Sequence, residues 1–278
     1  MEVPMVRAMG MLYVLDKDSD SFSQTLPETY VYLGLCYEDN ENIPKWNKSA
    51  RHITQGSELY ASPEDSDYIY YAANSGYQRL IRAALVENKI SKDDPDNTAP
   101  DAFSLAFFDT LIGADLRSPY NQSTDQVFTQ PEDVNLKLLF YNGFAQWDSV
   151  PLTQEEIAFL TAHGWDGEKP VGNAKRFPVS AMDEQLRRFF GITFEQSHKV
   201  GLDRMENYWE QTQCYYNWRS DARGYRISVL QVTHNADRTR YEILYECDNG
   251  YPDVFYRMTL IRSGDVFLIY ANTSADPE

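Results

Sequence analysis

The chain has 278 residues, 42 of them acidic and 25 basic, giving a formal net charge of -17 at pH 7. Its length suffices for one large core or two smaller ones, and 42% hydrophobic with 14% aromatic content excludes a mainly disordered chain. A pI near 4.6 excludes a broad nucleic-acid footprint, because binding phosphates requires a basic stripe.

The first hundred residues mix strand-like runs with polar loops. Tyr30–Tyr37 (YVYLGLCY) is rich in β-formers and reads as a buried strand, with Cys36 a small core side chain. Ser62-Pro63-Glu64-Asp65 has the composition of a helix start with Pro in the first turn. Tyr77, Leu80, Ile81, Ala84 and Leu85 then recur at helical spacing, predicting a helix that ends near Lys89. Pro95 breaks the acidic loop that follows. A second helix is expected from about Asp101 to Ile112, with Phe103, Ala106, Phe107 and Leu111 inward and Gly113 at its end. Pro131-Glu132-Asp133 suits another helix start.

The sharpest local signal is Thr153-Gln154-Glu155-Glu156, a capping box in which Thr153 and Glu156 satisfy each other's backbone amides. Leu152 is placed to staple onto Ile157, and Gly164 marks the stop. The next helix takes Ser180 as cap, buries Met182, Leu186, Phe189 and Phe190, and ends at Gly191. From about Gln213 the period changes to that of strands. Gly224–His234, Arg238–Cys247, Val254–Ile261 and Val266–Ala271 form an expected antiparallel meander. The predicted fold is therefore α+β. Residues 1–170 form a mainly helical or mixed acidic region, and residues 171–278 form helices packed on an antiparallel sheet, as two regions or one continuous domain. The charge follows this division: 27 acids against 12 bases in the first part, 15 against 13 in the second.

No stretch approaches the roughly 18 consecutive apolar residues of a membrane-spanning helix, and no signal peptide is visible. The chain is thus expected to be cytosolic, or exported with its signal removed. The cysteines Cys36, Cys214 and Cys247 contain no CxxC pair, which speaks against structural zinc. Cys214 and Cys247 lie in strand-like segments, leaving a bridge or two buried thiols open.

The scan for chemistry is mostly negative: GxGxxG, P-loop, GxSxG and HExxH are all missing. Asp16-Lys17-Asp18-Ser19-Asp20 opens like a calcium loop, but Ser21 and Pro27 stand where Gly and a bidentate Glu belong. A solvated acidic turn is the simpler reading. The four histidines have no metal-ligand spacing, and His163 falls where a cation favours a helix C-terminus. No cofactor, metal or catalytic residue is assigned.

Aromatic density is more informative. Tyr208, Trp209, Tyr215, Tyr216, Trp218 and Tyr225 lie beside Arg219, Asp221, Arg223 and Arg226. Such residues make a good strand and core, and they are also the ingredients of protein or sugar recognition. Within them Tyr215, Tyr216, Trp218 and Asp221 are the candidate contact residues.

Pro131-Glu132-Asp133-Val134-Asn135-Leu136, Leu139-Phe140-Tyr141-Asn142-Gly143, the Leu152-Thr153…Glu155-Glu156 helix start, Phe177-Pro178, Phe190-Gly191, and Tyr215-Tyr216 before Ser220-Asp221 occur in that order. Over about residues 103–272 this series resembles uncharacterised exported proteins, predicted lipoproteins, of gut Firmicutes. The resemblance implies a trimmed lipoprotein signal and an extracytoplasmic location, and brings no activity. The expected function is an extracytoplasmic, non-enzymatic binding module for a protein or glycan, touching the membrane only through a removed lipid anchor. Alternatives are a cell-envelope or glycan hydrolase using paired carboxylates, and an acidic inhibitor or immunity-type protein.

Overall fold

The computed structural model describes residues 4–17, 21–38, 48–83, 100–113, 117–141, 151–165, 174–205, 207–217, 226–248 and 254–276. Among them strand accounts for 43% and helix for 23%. The strands are β1 (Met5–Ala8), β2 (Met11–Leu15), β3 (Phe22–Ser23), β4 (Val31–Leu35), β5 (Tyr37–Glu38), β6 (Ser49–Arg51), β7 (Glu58–Ser62), β8 (Asp65–Ala73), β9 (Gly76–Arg82), β10 (Lys175–Pro178), β11 (Asn207–Trp209), β12 (Cys214–Asn217), β13 (Arg226–His234), β14 (Arg240–Asp248), β15 (Phe255–Ser263) and β16 (Val266–Ala275). The helices are α1 (Pro100–Gly113), α2 (Pro119–Gln122), α3 (Leu136–Leu139), α4 (Gln154–Ala162) and α5 (Val179–Phe190).

This distribution overturns the expected α+β arrangement with a mainly helical first part. The first 83 residues build a nine-stranded sheet in the order β4-β7-β8-β9-β2-β1-β6-β5, with β3 also paired to β9. All its pairings are antiparallel except β5 with β6. A three-stranded sheet, β10-β12-β11, and a four-stranded meander, β13-β14-β15-β16, follow.

The helix expected after Ser62 is a pair of strands. Ser62 pairs with Asp65 across the two-residue turn Pro63-Glu64. The polar groups that resemble a helix cap close this turn instead: Ser62 Oγ accepts from the Glu64 amide at 3.2 Å, and Asp65 Oδ1 from the Asp67 amide at 2.9 Å. Tyr77, Leu80 and Ile81 sit on β9, where Leu80 is buried and Ile81 faces the other side. Ala84, Leu85 and the expected end at Lys89 lie outside the described residues. Strand geometry suits β8, where Ile69 is fully buried on one face and Tyr70 packs on the other.

Two compact units divide the chain. One holds Met1–Asp115, Ile227–Glu246 and Leu260–Phe267; the other holds Leu116–Arg226, Cys247–Thr259 and Leu268–Glu278. In the first, Leu59, Ile69 and Leu80 are fully buried on one face of the large sheet, each contributing about 1.5–3 kcal/mol. Its other face carries a cross-strand row, Tyr32–Tyr60–Tyr70–Arg79. Edge-to-face contacts pack these rings with Tyr30 and Tyr77: Tyr30–Tyr70 centroids are 4.9 Å apart and Tyr60–Tyr77 5.3 Å. Arg79 closes the row, its Nε 2.6 Å from Asp16 Oδ2 and its guanidinium 4.9 Å from the Tyr68 centroid. Asp16 is therefore a buried ion-pair partner rather than part of a solvated turn, while Asp18, Ser19 and Asp20 lie outside the described residues. Helix α1 adds Phe107 and Phe108, and Phe108 stands 5.2 Å from Tyr241 and 5.5 Å from Phe267.

In the second unit, Pro131–Asp133 is a 3-10 turn. Helix α5 begins two residues earlier than its Ser180 cap predicts, after Pro178, and stops at Gly191 in the left-handed region. Helix α3 is capped by Asn135, whose Oδ1 accepts from the Leu138 amide at 3.1 Å. Gly201, at φ +81°, packs against that cap, and a Cβ there would lie 2.3 Å from Asn135 Oδ1. Gly201→Ala should thus lose about 2 kcal/mol, from left-handed strain plus a displaced cap. Urea unfolding of the variant checks this, and an unchanged midpoint contradicts it.

Candidate functional site

The second unit's three-stranded sheet holds the described part of the predicted contact surface. Strand β12 lies between β10 and β11 and is antiparallel to both. Register sorts its side chains strictly. Tyr216 stands opposite Asn207 and Arg176 on one face, and Tyr215 opposite Tyr208 and Phe177 on the other.

The Tyr216 face is packed. Cys214, Tyr216, Leu160 and Trp165 form a buried cluster with Leu152, Ile157, Phe159, Ala174 and Trp209 around it. The capping box that starts α4 forms as expected: Thr153 Oγ1 accepts from the Glu156 amide at 3.2 Å, and Glu156 Oε2 from the Thr153 amide at 2.7 Å. The same Glu156 carboxylate does more than cap. Arg176 grips it with two bonds, Nε to Oε1 at 2.7 Å and Nη2 to Oε2 at 2.5 Å. The Tyr216 hydroxyl donates to Oε1 at 2.8 Å. Burial pushes the Glu156 carboxyl up, but Arg176, the Thr153 amide and Tyr216 together outweigh it and hold it down at about 2. Burial and the Glu156 carboxylate push the Tyr216 phenol up, against the opposing bond from Thr212. This network is a clamp between helix and sheet.

The Tyr215 face is covered at Phe177, which is fully buried, and open toward the β11 edge. The Tyr208 and Tyr215 rings lie 4.8 Å apart, tilted by 42°, and Tyr208 is 45% exposed. Burial and the neighbouring Tyr208 push the Tyr215 phenol up, with the Lys199 ammonium drawing it down and the Glu195 carboxylate pushing it up. Lys199 Nζ is 3.1 Å from Glu195 Oε2 and 5.0 Å from the Phe194 ring centroid. Val200, next in the chain, is 39% exposed. The result is a small aromatic ledge.

Of the four predicted contact residues, Tyr215 lies on this ledge and is half-buried. Tyr216 is fully buried and bonded to Glu156, which corrects its assignment to a contact surface. A strand cannot present two consecutive side chains to one face, so Tyr215 and Tyr216 were bound to part. Trp218 and Asp221 lie outside the described residues, as do Arg219, Arg223 and Tyr225. Tyr208 completes the ledge, and its signal in the sequence is the alternation Tyr208-Trp209. Trp209 turns inward to stack on Phe159 at 4.9 Å and 10°. The tyrosine row of the first unit also escaped the motif search, although Tyr30-Val31-Tyr32 and Tyr68-Ile69-Tyr70 announce it by their spacing.

Other groups with chemical potential are engaged structurally. Cys36, Cys214 and Cys247 are buried thiols in no disulfide, and burial pushes those of Cys36 and Cys214 up. His163 caps α4, its Nδ1 2.7 Å from the Phe159 carbonyl oxygen. His198 Nδ1 pairs with Asp133 Oδ1 at 2.7 Å. Among the described residues no group of three or more His, Cys, Asp or Glu side chains is placed to hold a metal ion, and no helix is long and apolar enough to cross a membrane. Comparison with protein-family models, curated protein sequences and solved structures yields no match.

Proposed function

We propose that the chain is an extracytoplasmic, non-enzymatic binding module whose contact surface is centred on the Tyr208–Tyr215 ledge. The observation that carries this reading is a pair of neighbouring tyrosines, Tyr208 exposed and Tyr215 half-buried, at the β11 edge of a sheet whose opposite side is clamped by Glu156 and Arg176. Exposed rings on a rigid backing offer contact area at little cost in conformational entropy. The acidic balance of the chain disfavours polyanionic ligands and leaves a protein or a glycan as partner. The extracytoplasmic assignment rests on the resemblance to exported lipoproteins over residues 103–272.

The test is adsorption of the purified chain to washed Gram-positive cell envelopes. Tyr208→Ala should weaken adsorption about tenfold, the loss of one stacking contact, and leave the unfolding midpoint within about 0.5 kcal/mol, as for exposed positions. Adsorption that survives both Tyr208→Ala and Tyr215→Ala assigns the ledge no role.

A further inference from the structure

The first unit carries an assembly that the ledge does not use, the tyrosine row of the large sheet. Tyr30, Tyr60 and Tyr70 form one buried cluster, 4%, 3% and 8% exposed, with half-buried Tyr32, Tyr68 and Tyr77 packed against it. Ring follows ring: the Tyr77–Tyr60 centroids are 5.3 Å apart, Tyr32–Tyr60 6.1 Å and Tyr30–Tyr70 4.9 Å. Tyr60 and Tyr70 stand opposite each other across β7 and β8, which joins the two groups.

The two least exposed phenols each end on a carboxylate. The Tyr30 hydroxyl donates to Asp65 Oδ2 at 2.5 Å, and the Tyr60 hydroxyl to Glu58 Oε2 at 2.6 Å. Packing alone asks only that a buried hydroxyl find an acceptor, and a backbone carbonyl suffices, as that of Ser66 does for Tyr13 at 2.9 Å. A carboxylate differs in being a base. A phenol is a far weaker acid than a carboxyl, so in the resting protein both protons stay on the tyrosines. Once a ring loses an electron its hydroxyl becomes a strong acid, and a carboxylate already within hydrogen-bond reach takes the proton without rearrangement.

We propose that this cluster is a sink for one-electron oxidants: half-buried Tyr32 and Tyr77 take the first oxidation, and the hole moves inward along the rings to Tyr60 or Tyr30. The step balances. A small oxidising radical such as nitrogen dioxide gains one electron and leaves as nitrite. The phenol loses that electron, its O–H bond breaks, and the proton forms a new O–H bond on Glu58 or Asp65. The product is a neutral tyrosyl radical beside a neutral carboxyl, a pair with no net charge to bury. An ascorbate-type reductant then returns the electron through the same rings, and the carboxyl returns the proton. Arg79 bounds the row on its other side. Its guanidinium lies 4.9 Å from the Tyr68 centroid, and a cation there opposes positive charge on that ring, leaving the hole on the side of the two carboxylates.

The experiment is flash oxidation of the full chain by a photogenerated ruthenium(III) polypyridyl complex, a cation that a chain of net charge -17 attracts. Freeze-quench electron paramagnetic resonance is the readout. The expected result is a tyrosyl signal that outlives that of free tyrosine several-fold. Tyr30→Phe combined with Tyr60→Phe should remove most of this long-lived signal, since phenylalanine keeps the ring and has no proton to give. Asp65→Asn combined with Glu58→Gln should shorten its lifetime several-fold, because an amide is not a base. Formation of the signal in the parent chain should slow in deuterium oxide. Tyr270→Phe, at a position 40% exposed on β16, should change none of these. Circular dichroism confirms that each variant is folded, and the single substitutions replace any pair that is not. A row that serves packing alone leaves the radical as short-lived as on free tyrosine. That result, a long-lived signal that survives the Phe variants, or a lifetime indifferent to the carboxylate variants overturns the proposal.

Discussion

Replacing Arg176 with Met is expected to destabilise the second unit by about 3–5 kcal/mol, the cost of leaving a buried carboxylate without its cation. Glu156 is 3% exposed and takes two bonds from Arg176, one from the Tyr216 hydroxyl and one from the Thr153 amide. The variant keeps the last two and loses the charge that makes ionisation tolerable. Arg176→Met combined with Glu156→Gln should recover part of the loss, since an uncharged amide no longer needs a guanidinium. Urea unfolding of the two variants measures the difference, and a double variant no better than the single one would show that the pair's charge is unimportant.

The same carboxylate imposes a pH dependence whose sign is fixed. Its value in the folded chain, about 2, lies below the ordinary 4.5. The unfolded state therefore takes up its proton first as pH falls. The contribution is complete above about pH 4.5 and is lost progressively toward pH 2, amounting to on the order of 3 kcal/mol. Glu156→Gln should flatten the difference between pH 5 and pH 2.5 by an amount of that order. An acid limb identical to that of the parent chain would contradict the assignment.

What was legible in the sequence divides by the range of the interaction that decides it. Thr153 and Glu156 form their capping box because both partners lie within one helical turn. Gly191 ends α5 for a similarly local reason, its left-handed conformation being one that other residues resist. The C-terminal meander stands where alternation and turn residues place it. The large sheet was misjudged where local signals were ambiguous. Ser62-Pro63-Glu64-Asp65 has the composition of a helix start and also of a tight turn; what chooses is the pairing of β7 with β8 and of β8 with β9. Asp16 finds Arg79 across 63 positions of sequence, and Glu156 finds Tyr216 across 60, so neither pair has a spacing to read. The site behaves the same way. Aromatic density in the sequence points to Tyr215, whereas its separation from Tyr216 follows from the strand's period of two. The Lys199–Glu195 ion pair sits at a turn in which Lys199 and Gly201 both have positive φ, and no composition rule foretells that geometry.

Asn272→Leu should be nearly as damaging as loss of Arg176, for a different reason. Asn272 is fully buried on β16 in the second unit, and its Nδ2 lies 3.1 Å, 3.3 Å and 2.7 Å from the carbonyl oxygens of Ser123, Thr124 and Gln126. Its backbone meanwhile pairs in both directions with Phe128. One side-chain amide thus satisfies the turn after α2, in a loop whose Ser123, Thr124 and Gln126 are themselves buried. Leucine fits the volume but donates nothing, so carbonyls without water access are left short at about 1–3 kcal/mol each, roughly 3–5 kcal/mol in total. Asn272→Asp separates shape from hydrogen bonding, because it keeps the outline and replaces the donor with an acceptor. At pH 7 a carboxylate facing three carbonyl oxygens should destabilise more than leucine does. Burial and those oxygens raise the new carboxyl above its unfolded value, so its penalty is present above the folded value and fades as the pH falls. Relative to the parent chain, the Asp variant should therefore regain stability on acidification, the reverse of the Glu156 effect. Equal stability of the Leu and Asp variants at pH 7, with no relative recovery in acid, would mean that the amide's three contacts do not hold the turn.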